Sequence, residues 1–215
     1  MTNKIKSPLL AGLLASACIV LTAPASQALS FHITVTTATL MGSSSAPFAL
    51  DFQLNGGNPL GNTATISNFT FGTGSATSTP PATPNGLASG DLSTSVIVSD
   101  DSSNPFNEFY QGFAPGSTLD FDVSLTTNVN TPAADAFSFA ILDMNLFNIP
   151  TTGPSDALVQ VNIDNALTGL SSVQTYSGTG AYTGVTVTAT PEPTTAATLI
   201  MGAGMLLGLR RRRAA

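Results

Sequence analysis

The chain has 215 residues, a formal net charge of −6 and a single cysteine. All its lysines and arginines lie within the first six or the last six residues, so the stretch from Leu29 to Ala189 carries eleven carboxylates and no basic side chain except His32. Because nucleic-acid binding relies on Lys and Arg to neutralise phosphates, this composition excludes a nucleic-acid partner and disfavours an anionic lipid surface.

The N-terminal residues have the three parts of a secretory signal peptide. Two lysines precede an apolar run over residues 9–21, and the small side chains of Ser26 and Ala28 are typical of positions that signal peptidase recognises. We therefore predict that residues 1–28 are a signal peptide and that cleavage occurs before Leu29. A retained membrane helix is disfavoured, because the apolar run is shorter than the roughly 20 residues that span a bilayer.

The body that follows alternates between apolar and polar residues, which is the pattern of half-buried strands. The clearest segments span residues 31–35, 50–54, 119–125, 137–141, 159–163 and 185–187. Sequences rich in Gly, Pro and Asn separate them and predict turns. We predict that residues 29–189 form one extracytoplasmic domain, an all-β, antiparallel β-sandwich that is jelly-roll-like. Residues 72–90 are rich in Ser, Thr, Pro and Gly and are predicted to be a flexible loop.

The body contains few groups suited to catalysis. His32 is its only histidine and is expected to be a solvated side chain on the first strand, and signal-peptide cleavage would remove the only cysteine, Cys18. A Ser-His-Asp triad and a zinc site built from His and Cys are therefore not expected. We predict no catalytic residue, no enzyme and no cofactor, with calcium left open because carboxylate and carbonyl oxygens are its ligands.

Asp120 and Asp122 lie two residues apart in one predicted strand, so their side chains share a face at a spacing of about 7 Å. A pair of carboxylates can bind calcium or can hydrolyse a glycosidic bond. The same two side chains could equally belong to the polar face of an edge strand, where charge discourages aggregation. The body also has no Trp to stack on a sugar, which weighs against a glycosidase.

The three tyrosines, Tyr110, Tyr176 and Tyr182, offer a different hypothesis. Aromatic rings can stack on sugars, and β-sandwiches include carbohydrate-binding modules, although a likeness of fold alone says little about function. The alternative function is therefore a carbohydrate-binding module for a neutral exopolysaccharide, with calcium-assisted binding as one form of this alternative.

The C-terminal residues have the pattern of a membrane-spanning segment followed by a basic stop-transfer cluster. Residues 194–209 are apolar and would extend roughly 24 Å as a helix, slightly less than the roughly 30 Å of a bilayer core. The four arginines that follow predict a cytoplasmic end by the positive-inside rule. They are Arg210, Arg211, Arg212 and Arg213.

Three features of residues 190–215 occur together: the triplet Pro191-Glu192-Pro193, one short apolar helix and a terminal arginine cluster. This combination resembles the PEP-CTERM sorting signal of Gram-negative bacteria. The resemblance implies that an exosortase, a membrane enzyme, recognises the tail and removes it after export. It also implies an association with exopolysaccharide and with biofilm or floc matrix. A plain single-pass anchor would explain the helix and the arginines but not the Pro-Glu-Pro triplet.

Over residues 107–125 and 137–143, the body also resembles the bodies of proteins in an uncharacterised PEP-CTERM subgroup. This resemblance implies no known activity. We therefore expect a non-enzymatic protein that is exported, held for a time in the inner membrane and then placed at the cell surface or in the extracellular matrix. Its expected partners are signal peptidase and exosortase during processing, the membrane through the C-terminal helix, and exopolysaccharide. A carboxylate-dependent glycosidase is the remaining alternative.

Overall fold

The computed structural model describes residues 28–56, 61–101, 103–128, 134–164 and 172–192. Within these ranges the chain forms thirteen β-strands, which we number in chain order, and three short 3₁₀ turns. The turns lie at Ala38–Leu40, Pro154–Asp156 and Gly180–Tyr182. All the strand pairings are antiparallel, and the strands form two sheets.

Sheet A has six strands. Their spatial order is β13 (Thr186–Pro191), β1 (Ala28–Thr36), β9 (Thr118–Thr126), β3 (Thr63–Thr70), β7 (Ser95–Ser99) and β6 (Leu87–Gly90). The long central pair β1 and β9 keeps its register over nine residues, from Ala28 opposite Thr126 to Thr36 opposite Thr118. The pairing of β3 with β9 is interrupted between Ser67 and Thr70, where Asn68 has a positive φ of 56°.

Sheet B has seven strands. Their spatial order is β12 (Val173–Thr175), β11 (Val159–Ile163), β10 (Asp135–Leu142), β2 (Phe48–Asn55), β8 (Phe106–Ala114) and β4 (Ser75–Ala76), and β5 (Thr83–Asn85) also pairs with β8. Strand β2 therefore lies in the interior of the sheet. Its register with both neighbours places Phe52 opposite Phe139 on one side and opposite Phe109 on the other.

The two sheets bury a common core of phenylalanine and aliphatic side chains. The ring of Phe52 from sheet B stacks on Phe139 with 5.2 Å between centroids and meets Phe121 of sheet A edge-on at 5.6 Å. Phe121 in turn meets Phe139 edge-on at 5.0 Å. All three side chains are fully buried. Aromatic pairs at these distances add to the stability that comes from area burial alone.

The structure confirms the prediction of an all-β fold with two antiparallel sheets, an arrangement consistent with a β-sandwich. The alternation identified in the sequence correctly separates the core face from the polar face, as in β9, where every second residue from Leu119 is buried. Phe106, which begins β8, is 46% exposed, whereas Phe109 and Phe113 of the same strand are buried.

Residues 72–90, the predicted flexible loop, contain the short strands β4, β5 and β6. Part of this segment crosses the outer face of sheet B at Gly112. The Gly112 N–H donates to the carbonyl of Pro80, and its own carbonyl accepts from Thr77 N–H, each at 2.8 Å. A Cβ at Gly112 would collide with the carbonyl oxygen of Thr79, so the close crossing depends on glycine.

In the ranges that the structure covers, we find no helix with both the length and the apolar character that crossing a bilayer requires. The predicted transmembrane helix at 194–209 and most of the predicted signal peptide lie outside these ranges.

The aromatic core yields a direct test of the fold. We expect Phe52→Ala to lower the free energy of unfolding by about 3–5 kcal/mol, because it removes a ring that is fully enclosed between the sheets. Phe147→Ala, at a ring that is 70% exposed, should change it by less than about 0.5 kcal/mol. Urea titration followed by circular dichroism measures both. Equal effects of the two substitutions would contradict the assignment of the core.

Candidate functional site

Asp120 and Asp122, the acids singled out in the sequence, lie on the outer face of sheet A. Asp122 is directly opposite His32 on β1, and its Oδ1 is 2.6 Å from His32 Nδ1. Asp120 accepts a hydrogen bond from the Thr34 hydroxyl at 2.8 Å, and its Oδ1 is 3.7 Å from His32 Nε2. Strand β9 lies between β1 and β3, so these acids belong to an interior strand and not to an edge.

The third strand of this face also engages the two acids. Asn68 of β3 donates to Asp122 Oδ2 at 2.7 Å, and Thr70 donates to Asp120 Oδ2 at 3.3 Å. His32 is therefore not a free solvated side chain, because it lies between two carboxylates in a cross-strand network. Each carboxylate oxygen of the pair has a partner on β1 or β3, so the network links the three strands.

The three tyrosines do not form one platform. Tyr110 lies on β8, whereas Tyr176 follows β12, and three strands separate β8 from β12 in sheet B. At about 4.8 Å per strand spacing, the two positions are roughly 19 Å apart. Tyr182 packs against the core, with its ring edge-on to Phe48 at a centroid distance of 6.4 Å.

The predicted sorting residues are partly described. Ala28 begins β1, Pro191 ends β13, and Glu192 follows it. Ser26, Pro193 and the arginines Arg210, Arg211, Arg212 and Arg213 lie outside the described residues.

A polar cleft on the outer face of sheet B is the feature that the sequence did not reveal. Strand β2 places Leu50, Phe52 and Leu54 in the core and Asp51 and Gln53 on the outer face. Opposite these two on β10 stand the small residues Ala140 and Ser138. Because small side chains lie beside larger ones, a cleft remains between the two strands, and its volume is about 140 Å³.

One end of the cleft is closed by the segment that joins β10 to β11. Pro154, Ser155 and Ala157 line the cleft, and Asn148 holds the segment together by donating to the Ser155 carbonyl at 2.8 Å. Ser155 has a φ of 52°, in the left-handed region that non-glycine residues seldom adopt. The segment is fixed at its base, because Thr151 N–H donates to the Asp156 carboxylate at 2.9 Å.

Asp51 is the buried acid of this cleft. Its side chain is 2% exposed, its Oδ2 accepts from Gln53 Nε2 at 2.7 Å, and its Oδ1 has no hydrogen-bond partner. The same Gln53 nitrogen donates to Glu108 Oε1 at 3.3 Å, so one amide bridges two carboxyl groups. The arrangement places two acids in and beside a cleft with no basic side chain, since none occurs between Leu29 and Ala189 apart from His32 on the other sheet.

The surroundings raise the pKa values of both carboxyl groups, Asp51 and Glu108. Burial, with a smaller contribution from the nearby charge of Glu108, raises the pKa of Asp51 to about 7 against the opposing effect of the Gln53 hydrogen bond. Burial also raises the pKa of Glu108, while hydrogen bonds from Gln53 and Asn85 oppose the rise. Near neutral pH the cleft therefore contains an acid that is poised between its neutral and charged forms.

A second buried polar cluster lies where β3 and β10 begin and β7 ends. Asn62 donates from its backbone to Asp100 Oδ1 and from its side chain to Asp135 Oδ2, each at 2.5 Å. Burial raises the pKa of Asp100, and the charge of Asp135 adds to the rise while the Asn62 hydrogen bond opposes it. In the described part of the chain, no set of three or more His, Cys, Asp or Glu side chains is arranged to hold a metal ion.

Comparisons with protein-family models, with curated proteins and with solved structures gave no match for this chain.

The raised pKa of Asp51 predicts how stability depends on pH. Between about pH 4 and pH 7 the folded protein holds a proton at Asp51 that the unfolded chain has lost, so the free energy of unfolding should fall as pH rises through this window. The limit for one group is about 1.4 kcal/mol per pH unit. Glu108 and Asp100 act in the same direction, because their pKa values are also raised.

Asp51→Asn should remove much of this slope and make the protein more stable than the parent at pH 8. Asp101→Asn is the matched control. Hydrogen bonds from Ser103 and Asn104 lower the pKa of Asp101, so its contribution lies below about pH 4 and the slope above pH 5 should persist. Urea unfolding at pH 5, 6, 7 and 8 measures both variants. An unchanged slope in Asp51→Asn would show that Asp51 titrates normally.

Proposed function

We propose that this chain is an exported, non-enzymatic protein of the cell surface or extracellular matrix, delivered by a PEP-CTERM-type sorting tail. Signal peptidase removes residues 1–28, the apolar segment 194–209 holds an intermediate in the inner membrane, and an exosortase then removes the tail. The released or re-anchored body contributes to an exopolysaccharide-containing matrix.

The observation that carries this proposal is the direct junction between the body and the triplet. The last strand, β13, ends on Pro191, and Pro191 is exposed. No spacer separates the folded body from the Pro-Glu-Pro sequence. A sorting enzyme that acts near the triplet would therefore leave a complete sandwich behind.

The pairing of the first and last strands supports the same interpretation. β1 and β13 are antiparallel neighbours, and Phe31 near the start of β1 lies opposite Pro191 at the end of β13. The chain therefore enters and leaves the body at the same end of sheet A. Two membrane-directed segments that emerge side by side would tether the sandwich by one end and leave both outer faces open.

The order of the strands supports the further proposal that the body is a jelly roll. In chain order, the strands of eight or nine residues alternate between the two sheets: β1, β3 and β9 lie in sheet A, and β2, β8 and β10 lie in sheet B. Strand β1 pairs with β9 and β3 with β7 in sheet A, and β2 pairs with β8 in sheet B. Interleaved pairings of this kind are expected when two Greek keys wrap around one core. Strands β10 to β13 would then be additions at one side of the barrel-like body.

The test is the intact mass of the protein recovered from the envelope and medium of a host with an active exosortase. We expect a species that begins at Leu29 and ends near Pro193. The double substitution Pro191→Ala and Glu192→Ala should leave the tail attached, because it alters the triplet. Thr188→Ala, on an exposed position of the same strand, should be processed normally. Recovery of the parent chain with Arg213 still present would contradict the sorting proposal and favour a plain single-pass anchor.

A further inference from the structure

The cleft of sheet B has features that suit the binding of a cationic group. Asp51 at its floor is almost completely buried, and Oδ1 of its carboxyl group has no partner. A buried carboxylate oxygen without a hydrogen bond is costly, and native proteins usually satisfy such an atom. The missing partner is a hydrogen-bond donor, and Glu108 on the other side of Gln53 adds a second negative charge.

The residues that the structure describes offer no cation to the cleft. The body between Leu29 and Ala189 contains no lysine or arginine, and His32 is engaged by Asp122 on the outer face of sheet A. A donor that also carries positive charge must therefore come from outside the described body. A charge-assisted hydrogen bond to an ionised carboxylate is roughly twice as strong as one between neutral groups.

The remaining lining defines the rest of the ligand. Amide and hydroxyl groups surround the acid, contributed by Asn55, Ser138, Asn148 and Gln160. Such groups both donate and accept hydrogen bonds, so they match the hydroxyls of a sugar. The volume of about 140 Å³ is below the range of roughly 300–1,000 Å³ that drug-sized ligands occupy, so the cleft suits one small unit.

A calcium ion fits these observations less well. Calcium takes six to eight oxygen ligands, whereas the buried acid presents a single unengaged oxygen. An ammonium group needs only a few acceptors around it. Asp51 supplies one acceptor, and neighbouring amide and hydroxyl oxygens can supply the others.

We propose that the cleft between β2 and β10 binds the protonated amine of an amino sugar, with Asp51 as the carboxylate that receives the ammonium group. The neutral polar side chains around it hold the hydroxyls of the same sugar unit. This site is independent of the sorting proposal, since it depends only on the folded body. It also replaces the neutral glycan suggested by the tyrosines with a positively charged one.

Ligand binding should be linked to pH. An ammonium group favours the ionised form of Asp51, so binding expels the proton that burial retains, and affinity should fall as pH drops from 7 to 5. The other titratable groups that face or adjoin the cleft are Glu108 and Tyr110 on β8 and Asp156 in the closing segment. The residues that β10 and β11 present to the cleft are uncharged.

The test is calorimetric titration of the full-length chain, purified in detergent, with four probes: glucosamine, N-acetylglucosamine, glucose and n-butylammonium. We expect glucosamine to bind at least tenfold more tightly than each of the other three at pH 7, and more weakly at pH 5. Equal binding of glucosamine and glucose would overturn the proposal, because the charge would then contribute nothing. Equal binding of glucosamine and n-butylammonium would overturn the assignment to a sugar. Calcium chloride is titrated as a fifth ligand, and its tighter binding than all four probes would overturn the assignment of the cleft to an amine.

Two variants test the location. Asp51→Asn keeps the shape of the side chain and should weaken glucosamine binding at least tenfold. Ser138→Leu fills the cleft from β10 without touching the acid and should also abolish binding, so the test survives if Asp51→Asn fails to fold. Asp101→Asn removes the same charge from an exposed turn and should leave binding unchanged. Full affinity in both cleft variants, with folding verified by circular dichroism, would refute the site.

Discussion

Every carboxylate between Leu29 and Ala189 must be accommodated without a lysine or arginine. In most proteins an acid on a sheet face can find a basic neighbour across the strand pair, but here only amides, hydroxyls, backbone N–H groups and one histidine are available. The structure therefore distributes Asn, Gln, Thr and Ser beside the acids. Asp120 is held by threonines, Asp91 by Ser93 and Gln111, and Asp51 by Gln53.

This constraint gives the two outer faces different character. On sheet A the acids of β9 are flanked by strands on both sides and are partly exposed, and each of their oxygens has a partner on β1 or β3. On sheet B the segment before β11 and the crossing near Gly112 cover parts of the face. An acid beneath such a cover loses water and gains no counter-ion. Asp51 is the residue at which both conditions meet, and its raised pKa follows from them.

The sequence was sufficient to predict six of the thirteen strands of the described structure and the orientation of most of their residues, because period-two alternation is a local property. The alternation in 50–54 and 119–125 separates core from surface correctly in both β2 and β9. The alternation could not show that Asp51 is buried and Asp120 is not, since both acids occupy the polar face of an alternating strand. What distinguishes them is non-local: Glu108 is 55 residues from Gln53 in the chain, and the closing segment around Ser155 is about a hundred residues away. The Ser-, Thr-, Pro- and Gly-rich composition of residues 72–90 likewise did not reveal its short strands, which pair with β7 and β8.

Strand β13 has one neighbour, β1, and so forms an outer boundary of sheet A in the described structure. An open strand edge can recruit another chain by continuing the hydrogen-bond ladder, which is the usual route to sheet-mediated polymerisation. Pro191 ends this edge with a residue that has no N–H to donate and that is tolerated at such edges. The first residue of the triplet therefore leaves the end of this edge with one fewer donor for β-ladder growth.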